Sequence, residues 1–206
     1  EIMTVYLAGH ETTALALSWA LALLARSPKV QDELADELER VLGDRPPTLA
    51  DMPSLDLTGR VVLETLRLYP PAWAVGREAL EEVELGGVRL PAGAQVWSAP
   101  WVMHRDPRFW PEATRFDPDR WAKNVGGLRA SEAEMQKRLP RCVYWPFGAG
   151  PRLCIGQQFA QMEAVLVLAC LVRRFRFTLA PDARLVPSPS VTLRPKYGVP
   201  MFADAR

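Results

Sequence analysis

Apolar positions are distributed very differently in successive stretches of the chain. Residues 2–26 are apolar on most sides of a helical wheel, which predicts one long helix buried by neighbours on most sides. Its longest apolar run, Ala14 to Ala25, is interrupted by Ser18 and reads as too short to cross a bilayer. In the next stretch Val30, Leu34, Leu38 and Val41 recur at helical spacing on a charged background, predicting an amphipathic helix over 29–42. Pro28 suits its first turn and Gly43 its end. A third helix is expected over 55–69, halted by Pro70-Pro71. The period then changes. Val83-Glu84-Leu85 and Val88-Arg89-Leu90 flank Gly86-Gly87 as a tight hairpin, with Gln95–Ala99 as a candidate third strand paired to it. Residues 105–155 are rich in Pro, Gly, Arg and Trp and show little periodicity, and so long an irregular stretch in a compact domain usually serves function. A helix returns over 157–174, on Phe159, Met162, Val165, Leu166, Ala169 and Val172. The tail from Phe175 to Phe202 reads as short strands with Pro turns. The expected fold class is mainly α with small β-sheets.

Composition narrows this picture only slightly. A chain of 206 residues with 49% hydrophobic and 24% charged residues is ordinary globular protein, which sets aside fibrous and disordered classes. Its opening at Glu1, already in helical pattern, leads us to expect the C-terminal part of a larger single domain. The net charge of +1 gives no general reason for nucleic-acid binding. Locally the balance differs: residues 120–176 hold ten basic and three acidic side chains, whereas residues 1–50 hold four and eight. Cys142, Cys154 and Cys170 form neither a disulfide framework nor a paired metal-ligand spacing, so a reducing, cytoplasmic compartment is expected. Cys170, on an apolar stretch of the last helix, reads as core.

Candidate chemistry centres on Phe147-Gly148-Ala149-Gly150-Pro151-Arg152-Leu153-Cys154-Ile155-Gly156. A single Cys closes a Gly-rich loop just before a helix, whose N-terminal N–H groups favour a thiolate. The glycines allow a bulky planar ligand close to the backbone, and Arg152 offers a planar fork to an anionic group. Gly-x-Arg-x-Cys by itself fits an inert buried thiol equally well. The full ten-residue stretch resembles the haem-binding loop of the cytochrome P-450 family of haem-thiolate monooxygenases, Phe-Gly-x-Gly-x-Arg-x-Cys-x-Gly, at every fixed position. The resemblance implies haem b as cofactor, Cys154 as its iron ligand, Arg152 as a partner of a haem propionate, and Phe147, Gly148 and Gly150 as parts of the cradle.

Other segments match the same family in order. Glu64 and Arg67 share a helix face at i, i+3, a spacing that alone describes a solvated surface pair. Beside the loop it resembles the family's Glu-x-x-Arg, with Arg120 of Phe116-Asp117-Pro118-Asp119-Arg120-Trp121 as third member of a structural charge network. Asp119 and Trp121 stand where the family more usually has Glu and Phe. Ala8-Gly9-His10-Glu11-Thr12-Thr13 carries a helix-weakening Gly and hydroxyls able to bond back to helical carbonyls, so a local distortion of the first helix is expected. It resembles the family's oxygen-binding stretch, which implies Glu11 and Thr12 as an acid–alcohol pair delivering protons and Ala8 against haem and substrate. Arg77 and His104 are expected near the propionates.

The resemblance implies a monooxygenase that inserts one atom of dioxygen into an apolar small molecule, a fatty acid being the candidate class, with electrons from a ferredoxin- or flavodoxin-type partner docking on the basic segment. The alternatives are a relative or fragment that binds haem without oxygenase chemistry, and one that does not hold haem at all.

Overall fold

The computed structural model describes residues 2–124 and 139–206. Helix α1 (Ile2–Arg26) is followed by α2 (Pro28–Leu42) and, after a 3-10 segment at Leu49–Ser54, by α3 (Asp56–Leu68). Strands β1 (Val75–Glu78), β2 (Val83–Leu85), β3 (Val88–Leu90) and β4 (Gln95–Ser98) come next, then the short helices α4 (Pro100–Met103) and α5 (Asp119–Asn124). Helix α6 (Gln157–Arg174) runs directly into β5 (Phe175–Leu179), and β6 (Pro187–Pro189), β7 (Leu193–Pro195) and β8 (Met201–Ala205) complete the chain. This is a mainly helical fold with small antiparallel sheets, as expected.

Helices α1, α2, α3 and α6 bury one core through Leu24, Leu34, Leu38, Val61, Val165, Leu168 and Val172. The amphipathic pattern of α2 places Leu34 and Leu38 there, and Pro28 occupies its first turn because that turn has no intrahelical use for the missing N–H. Tyr6–Arg26 is long and apolar enough by composition to cross a membrane, a longer stretch than the Ala14–Ala25 run. Its C-terminal half is instead inside the protein, with Trp19, Ala20, Ala22 and Leu24 buried. On α6 the buried stripe is Ala164, Val165, Leu168, Ala169 and Val172. Cys170 falls off that stripe and is exposed, not core as its apolar neighbours suggested.

One strand pairing differs from expectation. Strand β4 pairs antiparallel with β1, Gly76 opposite Trp97 and Arg77 opposite Val96, and not with the β2–β3 hairpin. The hairpin is an exposed insertion between them. Gly76-Arg77 opens the strand region, but residues 75–78 have too short an apolar signature to show their partner; a Cβ at Gly76 would lie 3.2 Å from the Trp97 indole, so glycine lets that ring cross the strand.

Two buried polar side chains join elements that sequence reasoning treated separately. Gln31 on α2 accepts the Phe177 N–H (2.7 Å) and donates to the Phe177 carbonyl (3.0 Å), fixing β5 against α2. Glu37, on the same helix, accepts from the backbone N–H groups of Leu57 (2.6 Å) and Thr58 (2.9 Å) and from the Thr58 hydroxyl (2.8 Å). It therefore caps the N-terminus of α3 from outside, satisfying donors that the helix itself leaves orphaned. Glu37→Ala strands these buried donors and should destabilise the protein by about 1–3 kcal/mol, with Glu37→Gln losing less. Urea unfolding of both variants reads this, and an unchanged midpoint for the Ala variant would show that α3 needs no cap from α2.

Candidate functional site: an exposed thiol on a loop fixed by a buried ion network

Glu64 and Arg67 sit one turn apart on α3, each with a fully buried side chain. Arg67 Nε donates to Glu64 Oε2 (2.9 Å) and Nη2 to Oε1 (2.8 Å), a two-pronged contact. Its remaining protons reach the carbonyls of His104 (2.6 Å), Ala113 (2.7 Å) and Arg115 (3.1 Å), so all five guanidinium N–H groups are used. Glu64 also accepts from the Arg120 guanidinium (3.0 Å), the Asp117 backbone N–H (3.0 Å) and the Trp121 indole N–H (2.9 Å). The structure thus joins Glu64, Arg67 and Arg120 directly. It also gives the two departures from the usual family residues a use. Trp121 supplies a donor that a Phe lacks, and Asp119 pairs with Arg60 at 2.5 Å. The Trp121 and Asp117 contacts were not anticipated; the indole of an aromatic next to Arg120 was the available signal.

The network reaches the thiol loop through His104 and Tyr144. Burial first, and the Arg67 charge second, push His104 down to about 3, so the imidazole is neutral. Its Nε2 is therefore free to accept the Trp145 backbone N–H at 3.0 Å. The Tyr144 hydroxyl donates to the Leu63 carbonyl of α3 (3.1 Å), and its ring lies against His104 and Trp121. This corrects the expected role of His104: fully buried, it has no surface to offer a propionate, and it holds the chain entering the loop.

Beyond Trp145 the chain turns on Gly148 (φ +81) and Gly150 (φ +70), backbone states that favour glycine. Gly148 N–H donates to the Trp145 carbonyl (3.0 Å), and Cys154 N–H to the Phe147 carbonyl (2.9 Å), closing the loop. The Phe147 ring packs against the main core. Cys154 stands three residues before α6 with its side chain exposed. Around it Leu153 is partly exposed, Ile155 100% exposed and Phe159 64% exposed. A run of exposed apolar side chains flanking a thiol marks a binding surface. Arg152 on the loop and Arg77 on β1 are exposed cations, Arg77 donating to the Gly76 carbonyl.

Helix α1 contributes the third group of residues. It runs unbroken through Ala8–Thr13, without the expected distortion. The Thr12 hydroxyl does bond back to the Ala8 carbonyl, at 2.7 Å. Ala8 is exposed. Glu11 is engaged by the Thr192 hydroxyl and by Arg194 (2.7 Å), and these hydrogen bonds, Thr192 foremost, hold its carboxyl below the usual range. Neither partner was foreseen, because each is about 180 residues away in the chain.

An exposed soft ligand in an apolar surround, with arginines available for carboxylates, is the donor chemistry of a thiolate site for a planar iron cofactor. The comparisons agree with that class. The chain matches the cytochrome P450 family over residues 1–200 and belongs to it, a family of haem proteins. It is similar to cyclooctatin synthase of Streptomyces melanosporofaciens, 45% identical over 94% of this chain and 40% of that protein. It is also similar to pentalenene oxygenase of Streptomyces avermitilis, 40% identical over 91% and 39%, and to cytokinin hydroxylase of Arabidopsis thaliana, 40% identical over 97% and 37%. The chain spans about two fifths of the length of these relatives.

Arg67→Ala should cost about 3–5 kcal/mol, since it leaves the Glu64 charge buried with fewer partners. The protein is then expected to unfold at markedly lower denaturant or to lose its cofactor on purification. A variant of unchanged stability would show that the pair contributes no more than a surface contact.

Proposed function

We propose that this chain is the thiolate-bearing portion of a haem monooxygenase that inserts one atom of dioxygen into an apolar small molecule. The observation that carries the reading is the exposed Cys154 thiol, presented amid Leu153, Ile155 and Phe159 on a loop fixed to a buried ion network. Relatives named as an oxygenase and a hydroxylase support it. In this reading the cofactor is haem b, with Cys154 as its iron ligand; haem bound there supplies dioxygen binding and, through the thiolate's electron donation, O–O cleavage.

The chain's own residues then divide the work. Phe147, Gly148 and Gly150 shape the face against which the ring lies. Arg152 and Arg77 pair with its carboxylates. Ala8 leaves room on α1 for haem and substrate. Glu11 passes protons towards Thr12, whose hydroxyl oxygen is free to accept one while its hydrogen is held by the Ala8 carbonyl. Electrons arrive from a ferredoxin- or flavodoxin-type partner, docked by electrostatic attraction to the basic stretch within 120–176. A fatty acid is the substrate class we favour, on the resemblance of the Ala8–Thr13 and Gly156–Ala160 segments to fatty-acid hydroxylases. The free thiols suit a cytoplasmic location.

Cys154→Ser tests the reading in a full-length, haem-loaded protein carrying this chain. A hydroxyl lacks the thiolate's electron donation, so the ferrous carbon monoxide spectrum should lose its thiolate character. An unchanged spectrum would remove Cys154 as the ligand. A wild-type protein that shows the thiolate spectrum yet forms no oxygenated product with any apolar substrate would favour haem binding without oxygenase chemistry.

A further inference from the structure

Residues near the end of the chain grip the acid of the proposed proton pair. Glu11 Oε1 lies 2.8 Å from Arg194 Nε and 2.7 Å from Arg194 Nη2, and it accepts from the Thr192 hydroxyl. Arg194 Nε is also 3.3 Å from Thr192 Oγ1, so the three side chains form one cluster. The hairpin that carries them is itself anchored. Trp19, buried in α1 two turns beyond Glu11, donates its indole N–H to the Leu193 carbonyl (3.0 Å). Leu193 N–H donates to the Pro71 carbonyl (3.0 Å), and the Trp73 indole N–H to the Ser190 carbonyl (2.8 Å). Leu193 is buried among these contacts, directly between the two residues that reach Glu11.

We propose that Thr192 and Arg194 are positioning residues for Glu11, aiming its carboxylate so that it takes protons from solvent and hands them towards Thr12. The inference rests on the acid–alcohol reading of Glu11 and Thr12 and deepens it. A glutamate on an exposed helix face samples many rotamers; two partners on a separately anchored hairpin restrict it to few, which is how a supporting shell sharpens a proton donor. Arg194 and Glu11 both remain partly exposed, so the carboxylate keeps contact with solvent, the source of the proton. The proton moves as H+ from water to the carboxylate and on to the Thr12 oxygen, with no change in electron count. The charged or titratable groups near Glu11 among the described residues are Arg194 and, on its own helix, His10. The hydrogen bonds from Thr192 and Arg194 favour the ionised carboxylate that must receive the proton.

The test uses the full-length, haem-loaded protein with Arg194→Ala, Arg194→Lys and Thr192→Val, alongside Glu11→Gln and Thr12→Ala. The first readout is coupling, the product formed per electron pair consumed. The second, in the resting protein, is the titration of the Glu11 carboxyl by infrared difference against Glu11→Gln. Arg194→Ala should lower coupling at least about threefold, as expected when a catalytic group loses its alignment, and raise the Glu11 midpoint towards an ordinary carboxyl. Arg194→Lys should restore most of both. If Arg194→Ala fails to retain haem, the Lys and Val variants carry the same comparison, with Thr192→Val lowering coupling and raising the midpoint. Loss of coupling in Glu11→Gln with full coupling and an unmoved midpoint in the Arg194 and Thr192 variants would overturn the clamp and leave the proton pair standing. Failure of Arg194→Lys to rescue would reduce Arg194 to a structural role and also overturn it. Full coupling in Glu11→Gln and Thr12→Ala would remove the pair itself, and the clamp with it.

Discussion

A carboxylate with no access to water is the constraint around which this chain is organised. Burying the Glu64 charge costs several kcal/mol unless donors surround it. They do: the Arg67 guanidinium twice, Arg120, the Asp117 backbone and the Trp121 indole. Arg67 in turn needs acceptors for its remaining protons and finds them in carbonyls at His104, Ala113 and Arg115. The energetic value of such a pair over an apolar substitute is small. Its geometric value is large, because each donor and acceptor has one place to be. Residues 104–121 have almost no regular structure, and this polar hub gives them a defined path.

That path ends at the thiol. His104 gives its carbonyl to Arg67 and its neutral Nε2 to the Trp145 N–H, and Tyr144 ties the same point to α3. Three residues after Trp145 the glycine turns begin at Gly148, closed by the bond from Cys154 N–H to the Phe147 carbonyl. Rigidity lies on the buried side of the loop, whereas Cys154, Ile155 and Phe159 face outwards. The first helix repeats the division: Trp19, Ala20 and Ala22–Leu24 are core, while Ala8 and Tyr6 are exposed.

Much of this was legible in the sequence where a local rule applied. Apolar periodicity located α2 and α6 because each buries one stripe, Pro70-Pro71 located the end of α3, which is buried on nearly every side, and Gly86-Gly87 located the β2–β3 turn. The order of Glu64, Arg67, Arg120 and Cys154 identified the family and the charge network. What remained hidden depends on tertiary partners. No spacing rule links Glu37 to the start of α3, or Glu11 to Thr192 and Arg194. His104 was misplaced because a His-Arg-Asp turn carries no mark of complete burial. Cys170 was misplaced because apolar neighbours in sequence do not share its side of α6. Arg77 read as the start of the strand region, but four residues containing a glycine carry too little pattern to bound β1 or reveal its pairing, and its partner β4 was then assigned to the nearer hairpin.

The central claim is that the Glu64 charge fixes the loop bearing Cys154, and hydrogen exchange on a full-length, haem-loaded Glu64→Gln protein tests it most directly. The variant keeps the side chain's size and removes its charge. Amides of residues 104–121 and 143–154 should exchange markedly faster than in the parent protein, while those of α2, which has its own apolar core contacts, keep their protection. Unchanged exchange at Trp145 and Cys154, or a uniform loss across α2 and the loop alike, would contradict the account.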